Sequence, residues 1–454
     1  MIYEVYGKLH HTAKKLLGSS IPQNAYRMVS VKDEDFVNER LVEDGLFFND
    51  TEPGKDIRKS QVYPVENIVP AEEFTSLSDS YRHTYKISEK QLGVKRDQAE
   101  KYWNVFIQNS TIPEGYRNAG LHNAGYILDY KEWCLPSWIW TNAAIVRVFC
   151  NTNRIEEAKA LVNCLISLQQ DCGGWIVRND YDNKGAVPVL APNDSAYIAN
   201  NGCLETYFAT NDQKYLDAAV KCAEWIIDTA REDGMVYAGY NTRESQWEKR
   251  HNIVDVGFTA ALFARLYQVT RNDKYKQFLS QFIRRYIELF YNSSTKGFAT
   301  SLDAYDRQLG GMFGRGQAWA LEGLIPAYKV LLDENLKRVI DNTVSTMLRL
   351  QNKNGGWAYN LSKPFMGIDC KATPIIARSL INWRTDKETT SAARKALEWT
   401  ISHTSNMEES LGGIFSYTIE GAIVHHMYTW TAFVYSSAYA IELKRKVENL
   451  DLCK

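Results

Sequence analysis

The sequence predicts an all-α fold in which six helical hairpins close into a ring, an (α/α)6 toroid, preceded by an N-terminal extension. Three features lead to this prediction. Glycine-rich segments recur roughly every sixty residues, six helical segments are apolar almost all round, and amphipathic helices alternate with them. The chain has 454 residues and a hydrophobic content of 45%, which is enough for one large core.

The repeat is clearest in two related segments, LQQDCGGW ending at Trp175 and LQNKNGGW ending at Trp357. The GGW step indicates a tight left-handed turn followed by an aromatic plug at the end of an outer helix. Equivalent glycines recur at intervals of 60, 63, 59 and 57 residues, at Gly174, Gly234, Gly297, Gly356 and Gly413. A fixed period of this length predicts one supersecondary unit per repeat.

The apolar segments predict the buried inner helices of the ring, because small and apolar side chains cover almost their whole surface. They begin at Ser137, Ser195, Val256, Gly316, Cys370 and Thr429. Short polar turns such as TND at 210 and RND at 271 follow most of them. Each turn leads into a charged helix with apolar residues three and four apart, which predicts an outer helix.

Five outer helices follow inner ones, and KRDQAEKYWNVFIQ from Lys95 supplies a sixth ahead of the first. We therefore expect residues 94–454 to form the toroid as one domain. Residues 1–93 fall outside the period and predict an extension with helices near 3–17 and 32–45, followed by an irregular, proline-containing segment.

The long connections all run from an outer to an inner helix, which places them on one face of the ring with the N-termini of the inner helices. These connections span 171–194, 233–254, 292–314, 352–368 and 405–428. Helix N-termini favour anionic groups, and loops on a rigid scaffold commonly carry function. Aromatic residues on these loops suit the flat faces of sugars: Trp175, Tyr181, Tyr237, Tyr240, Trp247, Phe298, Tyr305, Trp357, Tyr359 and Tyr428. We expect a carbohydrate cleft on this face.

Three acids stand at the same register, just before or at the start of an inner helix: Asp194, Asp255 and Asp369. An aspartate there caps a helix routinely, which alone would explain all three. A carboxylate in an aromatic-walled pocket is also suited to proton donation, and the two roles are compatible.

Composition excludes several other classes of protein. The net charge of -1 gives no field for nucleic acid or an anionic membrane. No apolar run is long enough to span a bilayer and the start lacks a secretory apolar core, so we expect a cytoplasmic protein with reduced cysteines. No spacing typical of a metal site occurs, so we expect neither metal nor cofactor.

The stretch GRGQAWALEGL from Gly314, with NIVDVGF around Asp255 and GIDCKATPIIARSLI from Gly367, resembles glycoside hydrolase families 88 and 105. These are the unsaturated glucuronyl and rhamnogalacturonyl hydrolases, or six-hairpin glycosidases, and the resemblance covers roughly residues 95–445. It implies a hydrolase acting on uronic-acid-containing oligosaccharides or polysaccharides.

The resemblance also implies roles for single residues. Asp255 falls on the general acid and base, and Asp194 on the assisting acid one hairpin earlier. The implied reaction is hydration of the C4=C5 double bond of an unsaturated uronide, with protonation at C4 and water attack at C5. Arg315 would meet the uronate carboxylate and Trp319 its ring. The other substrate-binding candidates are Gln317, Trp175, Trp357, Tyr240, His251, Asp369 and His425.

Alternatives remain open at this stage. Asn193 stands where these families usually have a histidine, and the run RQLGGMFGRG lacks their usual polar step. A non-catalytic saccharide-binding protein, or a uronate epimerase or lyase relative, would use the same cleft. The LQxxxGGW repeats are also similar to the QW motifs of terpene cyclases and prenyltransferase toroids, but no DxDD or DDxxD run occurs. For Arg315 the alternative to substrate binding is a structural salt bridge, and for Trp319 it is packing in the core.

Overall fold

A computed structural model describes residues 91–114, 118–127, 132–134, 139–182, 185–242, 244–247, 254–303, 305–309, 311–362, 368–414, 417–418 and 431–452. The predicted helices near 3–17 and 32–45 and the irregular segment after them lie outside the described residues. The first described helix begins at Arg96.

Helices account for most of the described chain. In order they are α1 Arg96–Asn109, α2 Thr141–Asn151, α3 Ile155–Ser167, α4 Pro192–Ile198, α5 Glu205–Thr210, α6 Gln213–Thr229, α7 Phe258–Thr270, α8 Asp273–Phe290, α9 Gly314–Leu331, α10 Glu334–Leu350, α11 Ala372–Trp383, α12 Lys387–Ser402 and α13 Val434–Leu452. The π-helical turns Ala199–Leu204 join α4 to α5, so these three segments form one continuous helix. None of the described helices is long and apolar enough to cross a membrane.

The helices form a closed ring of six hairpins, as the sequence predicts. The inner helices are α2, α4–α5, α7, α9, α11 and α13, and each packs against the next around the ring. The last inner helix, α13, returns to pack against both α2 and α1, which closes the ring. The outer helices α1, α3, α6, α8, α10 and α12 alternate with the inner ones along the chain. The all-α toroid is therefore confirmed.

Short strands decorate one face of the ring. They are β1 Gly125–Ile127, β2 Glu132–Cys134, β3 Ile176–Asp182, β4 Gly185–Leu190, β5 Tyr240–Asn241, β6 Gln246–Trp247, β7 Tyr291–Asn292, β8 Gly297–Phe298, β9 Ser301–Leu302, β10 Gln308–Leu309, β11 Ile368–Asp369, β12 Tyr417–Thr418 and β13 Thr431–Phe433. All lie in connections that lead into an inner helix. Antiparallel pairing forms a four-stranded sheet in the order β3-β4-β5-β6 and a three-stranded sheet in the order β13-β1-β2. The remaining strands form two-stranded sheets, β7 with β8, β9 with β10 and β11 with β12.

The short turns between inner and outer helices are built by side-chain caps. Asp212, Asn272, Asp333 and Asp386 each precede an outer helix in extended backbone and accept a hydrogen bond from a backbone N–H of its first turn. Such caps satisfy N–H groups that have no partner within the helix. Asp212, Asn272 and Asp386 belong to the polar turns of the sequence, whereas Asp333 follows two leucines. The caps explain why so few residues suffice to reverse the chain.

Glycine turns of the repeat dock several outer helices against the next outer helix of the ring. Gly173 adopts a φ of +110°, and a Cβ there would lie 2.3 Å from the carbonyl oxygen of Lys221 on α6. Gln169 fixes the same junction by donating to the carbonyls of Gly173 at 2.8 Å and Ala218 at 3.0 Å. Gln351 makes the equivalent pair of bonds after α10. The repeat is therefore a joint between neighbouring hairpins.

Candidate functional site

The N-terminal ends of the inner helices carry an interlocked set of aromatic rings, which we call the aromatic floor. It consists of Trp140, Tyr197, Phe258, Trp319 and Tyr435, on or beside α2, α4, α7, α9 and α13. Ring centroids lie 5.6 Å apart between Tyr435 and Trp140, 5.5 Å between Trp140 and Tyr197, 4.6 Å between Tyr197 and Phe258, and 5.8 Å between Phe258 and Trp319. All five residues are buried.

Arg315 closes this circle of rings. Its guanidinium carbon lies 4.9 Å from the centroid of Trp319, and Nη1 donates a hydrogen bond to the hydroxyl of Tyr435. Phe313 covers it as well, at 5.0 Å. A planar guanidinium both stacks on aromatic faces and donates in its own plane, which an ammonium does not do. The cation at the start of α9 therefore links the two ends of the aromatic floor.

Asp369 supplies the negative charge beside Arg315. Its Oδ2 lies 3.8 Å from Nε of Arg315, and both side chains are 1% exposed or less. Its Oδ1 accepts from the backbone N–H of Ala372 at 3.1 Å, so Asp369 also caps α11. Lys371 places a second buried cation nearby, with Nζ 4.6 Å from the centroid of Phe433. Asp369 therefore combines the predicted capping role with an ion pair.

Asp255 lies in a single 3-10 turn, Val254–Gly257, that leads directly into α7. The residue is 4% exposed. The turn is fixed on both sides, because the N–H of Val254 donates to the carbonyl of Thr300 at 2.9 Å and its carbonyl accepts from the hydroxyl of Tyr286 at 2.7 Å. Gly257, not an aspartate, is the N-cap of α7. Burial, followed by the negative charge of Asp255, raises the pKa of Tyr286 well above its ordinary value.

The turn that carries Asp255 packs directly on the first turns of α9. A Cβ added to Gly316 would lie 2.4 Å from the side chain of Val254, and one added to Gly323 would lie 2.0 Å from the carbonyl oxygen of Gly257. Glycine is needed at both positions for this close approach. Asp255 and Arg315 are the chain neighbours of the two residues in contact, Val254 and Gly316. Gly316 and Gly323 thus bring the turn that carries Asp255 against the helix whose first turn carries Arg315.

Asp194 lies in the first turn of α4, one turn before Tyr197 of the aromatic floor, and is half-buried. The N-cap of this helix is Ala191, so Asp194 is a first-turn residue. Asn193 donates to Oδ1 of Asp194 at 3.3 Å. A negative charge in the first turn is stabilised by the helix dipole. Asp194 and Asp255 therefore both lie at the end of the ring that carries the aromatic floor.

Several predicted binding residues take structural positions instead. Trp175 and Trp357 are fully buried, and their indole N–H groups donate to the carbonyls of Leu165 at 2.7 Å and Met347 at 2.8 Å. Both therefore form the predicted plugs. Gln317 is buried, and its side-chain amide accepts from the N–H of Phe298 and donates to the carbonyls of Phe298 and Phe313. All three side chains therefore bond to backbone groups in the structure, and their contact with substrate stays a prediction.

The other predicted residues divide into two groups. Tyr240 is half-buried on β5 and packs edge-on against Trp247 at 5.1 Å, while Tyr237 stacks on the same indole at 5.1 Å. This aromatic cluster stabilises the β5–β6 hairpin near the start of the Asp255 turn. His251 and His425 lie outside the described residues. No cluster of three or more potential metal ligands occurs in the part of the chain that the structure describes.

The sequence analysis missed a polar layer at the centre of the ring, on the C-terminal side of the aromatic floor. Arg147 on α2 forms a bidentate pair with Glu442 on α13 at 2.8 and 3.0 Å. Arg378 on α11 bridges Glu442 at 2.5 Å and Glu322 on α9 at 2.7 Å. Burial alone would raise the pKa of Glu442, but the charges of Arg147 and Arg378 outweigh burial, so the pKa lies below its ordinary value. We call these four residues the ionic layer.

Tyrosine hydroxyls connect the ionic layer to the aromatic floor. The hydroxyls of Tyr197 and Tyr439 lie 2.9 Å apart, and Tyr439 donates to Glu322 at 2.9 Å. Burial raises the pKa of Tyr197 to about 12. The sequence did contain a signal for this layer, since α2, α9, α11 and α13 each carry a single charged residue deep within an otherwise apolar stretch.

The ring of six hairpins gives the chain the fold of the six-hairpin glycosidase-like toroids. It superposes on unsaturated glucuronyl hydrolase from Bacillus sp. GL1 with a TM-score of 0.60 and 12% identity over 78% of this chain and 97% of that one. A possible member of family GH105 from Salmonella enterica gives a TM-score of 0.56 and 15% identity over 78% of this chain and 95% of that one.

The same fold also occurs in a GH76 α-mannanase from Bacteroides thetaiotaomicron, with a TM-score of 0.54 and 14% identity over 79% of this chain and 97% of that one. No family model matches the chain, and no curated protein matches it. At these identities the similarity establishes the fold, and a fold hosts more than one reaction. The chemistry must therefore be argued from the site.

Proposed function

We propose that the chain is a glycoside hydrolase that acts on uronic-acid-containing oligosaccharides, and that it removes unsaturated uronides by hydrating their C4=C5 bond. The observation that carries the proposal is the junction of α7 and α9, where a buried carboxylate and a buried guanidinium flank one contact beside the aromatic floor. Aromatic faces suit a sugar ring, and a preorganised cation suits its carboxylate. The fold shared with an unsaturated glucuronyl hydrolase supports the same substrate class.

Asp255 acts in this proposal as general acid and then as general base. Its protonated carboxyl delivers the proton to C4 of the double bond, and the resulting carboxylate takes a proton from the water that attacks C5. The product is a hemiketal at C5. Its opening breaks the sugar ring and releases the next sugar from C1, so the net reaction consumes one water molecule. Asp194, on the neighbouring hairpin, assists by holding the attacking water.

Arg315 orients the uronate within the same proposal. Its guanidinium already balances the charge of Asp369 and supports Tyr435 and Trp319, so it acts on the substrate through the positive field of that cluster and through the rings it fixes. The buried Lys371 adds to this field. In the low dielectric of a closed site such preorganised charges stabilise a developing anion far more than they do in water.

Replacement of the proposed acid tests this function. Purified protein is screened against lyase-generated unsaturated uronide disaccharides, and the loss of ultraviolet absorbance of the conjugated double bond is followed. We expect turnover with the wild type and a loss of at least about a thousandfold in Asp255→Asn, because an amide N–H is far too weakly acidic to protonate C4. Asp217→Asn is the matched control, since Asp217 is exposed on α6 and only accepts a bond from Gln213.

Two outcomes would contradict the proposal. If Asp255→Asn turns over as fast as Asp217→Asn, the acid is misassigned. If the wild type removes no uronide from any disaccharide yet binds it, the chain is a saccharide-binding protein on this fold. Binding of the same disaccharides to Asp255→Asn, measured by calorimetry, separates loss of chemistry from loss of the site.

A further inference from the structure

The catalytic role proposed for Asp255 requires that its carboxyl be aimed with precision, yet Asp255 lies on a single turn between a long loop and α7. A misplacement of about 1 Å costs roughly a hundredfold in rate. The residues that hold this turn therefore determine where the Asp255 carboxyl points. They lie on the outer helix α8, on the loop after β8 and on α9.

Tyr286 contacts this turn at both ends. Its hydroxyl donates to the carbonyl of Val254 at 2.7 Å, and a Cβ added to Gly257 would lie only 2.9 Å from the same oxygen. Tyr286 is fully buried, although it belongs to an outer helix. The phenol thus spans the four residues that contain Asp255, from the first to the last.

The ring of Tyr286 is itself held in a column of aromatic side chains. Phe282 stacks on it at 5.8 Å and 13°, and Phe298 stacks on it at 5.5 Å and 21°. Phe290 packs against it at 5.1 Å. Close packing on several sides leaves the phenol no alternative rotamer without displacing a neighbour.

Gln317 of the GRGQAW motif fixes the column from the α9 side. Its Oε1 accepts from the N–H of Phe298 at 2.7 Å, and its Nε2 donates to the carbonyls of Phe298 at 2.8 Å and Phe313 at 3.1 Å. Two residues beyond Phe298, the carbonyl of Thr300 accepts from the N–H of Val254. The β8 loop therefore reaches the turn by two routes, one through the ring of Tyr286 and one through the backbone.

We propose that Tyr286 and Gln317 are positioning residues for Asp255, which they hold through Phe298 and the backbone of Val254. The amide at the start of α9 then serves to aim the acid, whereas the sequence analysis assigned it to substrate binding. This inference rests on the proposed function of Asp255, and the experiment below separates the two.

Tyr286→Phe removes the hydroxyl and leaves the aromatic column intact. With a disaccharide that the wild type cleaves, we expect kcat to fall about 10- to 100-fold while KM changes less than about twofold. We also expect the solvent deuterium isotope effect on kcat to increase, because proton delivery becomes more rate-limiting. A smaller active fraction lowers kcat but leaves that isotope effect unchanged, so the isotope effect distinguishes positioning from simple loss of fold.

Tyr275→Phe is the matched control. Tyr275 is buried on the same helix and donates its hydroxyl to Glu224 at 2.9 Å, so the substitution also deletes one hydrogen bond. We expect its kcat and isotope effect to equal those of the wild type. Gln317→Glu keeps the acceptor for Phe298 but loses both donated bonds, and it should change kcat and the isotope effect in the same direction as Tyr286→Phe.

Hydrogen–deuterium exchange gives a readout that needs no substrate. In Tyr286→Phe the backbone amides of residues 254–257 should exchange at least about tenfold faster than in the wild type, with no acceleration in Tyr275→Phe. Unchanged exchange, kcat and isotope effect in Tyr286→Phe and Gln317→Glu would overturn this inference while leaving Asp255 as the acid. Turnover by Asp255→Asn would instead overturn the proposed function, whatever the exchange shows.

Discussion

The pKa of the buried His122 is strongly shifted by its surroundings. It lies in the connection between α1 and α2, where its Nδ1 is 2.9 Å from the carbonyl of Ile107 and 3.0 Å from the hydroxyl of Ser110. Asn142 accepts from its backbone N–H at 2.7 Å. Burial lowers the pKa of His122 from 6.5 to about 4, although the bond to Ile107 opposes this. The neutral imidazole is therefore the folded form at neutral pH.

A pH dependence of stability follows from this pKa. The stabilisation is fully present above pH 6.5, the ordinary value, and is lost as the pH falls toward 4, because only the unfolded chain takes up the proton. Over that interval the free energy of unfolding should fall by about 3 kcal/mol.

Urea denaturation at pH 7 and at pH 4.5 measures this loss, with His122→Asn as the reference. The variant keeps a donor near Ile107 and has no group that titrates in this range, so most of the loss should disappear. An equal loss in the variant and the wild type would assign the effect to other groups.

The glycine turns after the outer helices set how closely neighbouring hairpins approach each other. Gly412 follows α12, has a φ of +88°, and would bring a Cβ to 1.9 Å from the carbonyl oxygen of Tyr102 on α1. This contact joins the last hairpin to the first helix and so lies at the seam where the ring closes. Trp103, next along α1, donates its indole N–H to the hydroxyl of Thr404 at 3.0 Å across the same seam.

Gly412→Ala should therefore destabilise the whole ring. Left-handed backbone and overlap with a fixed carbonyl together cost about 3 kcal/mol or more. Gly202→Ala is the comparison, because a Cβ there meets its nearest neighbour at 3.6 Å, an ordinary contact. Thermal unfolding should show a large decrease in Tm for Gly412→Ala and little change for Gly202→Ala. Equal Tm values would refute the docking role of the turn.

Side chains of the inner helices fill the centre of the ring in two layers. The aromatic floor lies on the loop side and the ionic layer lies beyond it. Four inner helices contribute a charge to the ionic layer, so each ion pair ties together helices that belong to different hairpins. Buried charges of this kind are costly to separate, because removing one partner leaves the other uncompensated.

Glu442→Gln tests the ionic layer, since Glu442 pairs with both Arg147 and Arg378. We expect a loss of about 3 to 5 kcal/mol at pH 7. The lowered pKa of Glu442 means that its contribution is present above the ordinary carboxyl pKa and is lost only as the pH falls through the lower folded value. Urea midpoints of wild type and variant should thus differ equally at pH 7 and 5.5 and converge only below about pH 4.5.

Glu157→Gln is the control for this experiment, because Glu157 pairs with Arg154 at the surface and should contribute less than about 1 kcal/mol. A Glu442→Gln protein as stable as this control would show that the ionic layer does not hold the ring together.

The sequence was sufficient for the ring but not for the details of its site. A sixty-residue period with alternating apolar and amphipathic helices has few other solutions, so the hairpins and the loop face could be predicted. The bonds that Trp175, Trp357 and Gln317 donate to backbone carbonyls could not be predicted, because spacing along a loop does not show which way a side chain turns. The charges of Arg147, Glu322, Arg378 and Glu442 were visible, but their meeting at the centre depends on the rotation of four helices.

Deuterium incorporation at C4 is a direct test of the proposal that Asp255 protonates this carbon during hydration of the C4=C5 bond. An unsaturated uronide disaccharide is incubated with the protein in D2O, and the products are analysed by NMR. We expect deuterium at C4 of the released open-chain product with the wild type, whereas Asp255→Asn should leave the disaccharide intact and without deuterium, because the proton passes through this carboxyl. Release of the neighbouring sugar together with a cyclic uronate that still has the C4=C5 bond and no deuterium, seen at early times before that uronate ring-opens in solution, would contradict this and would indicate an ordinary glycosidic displacement.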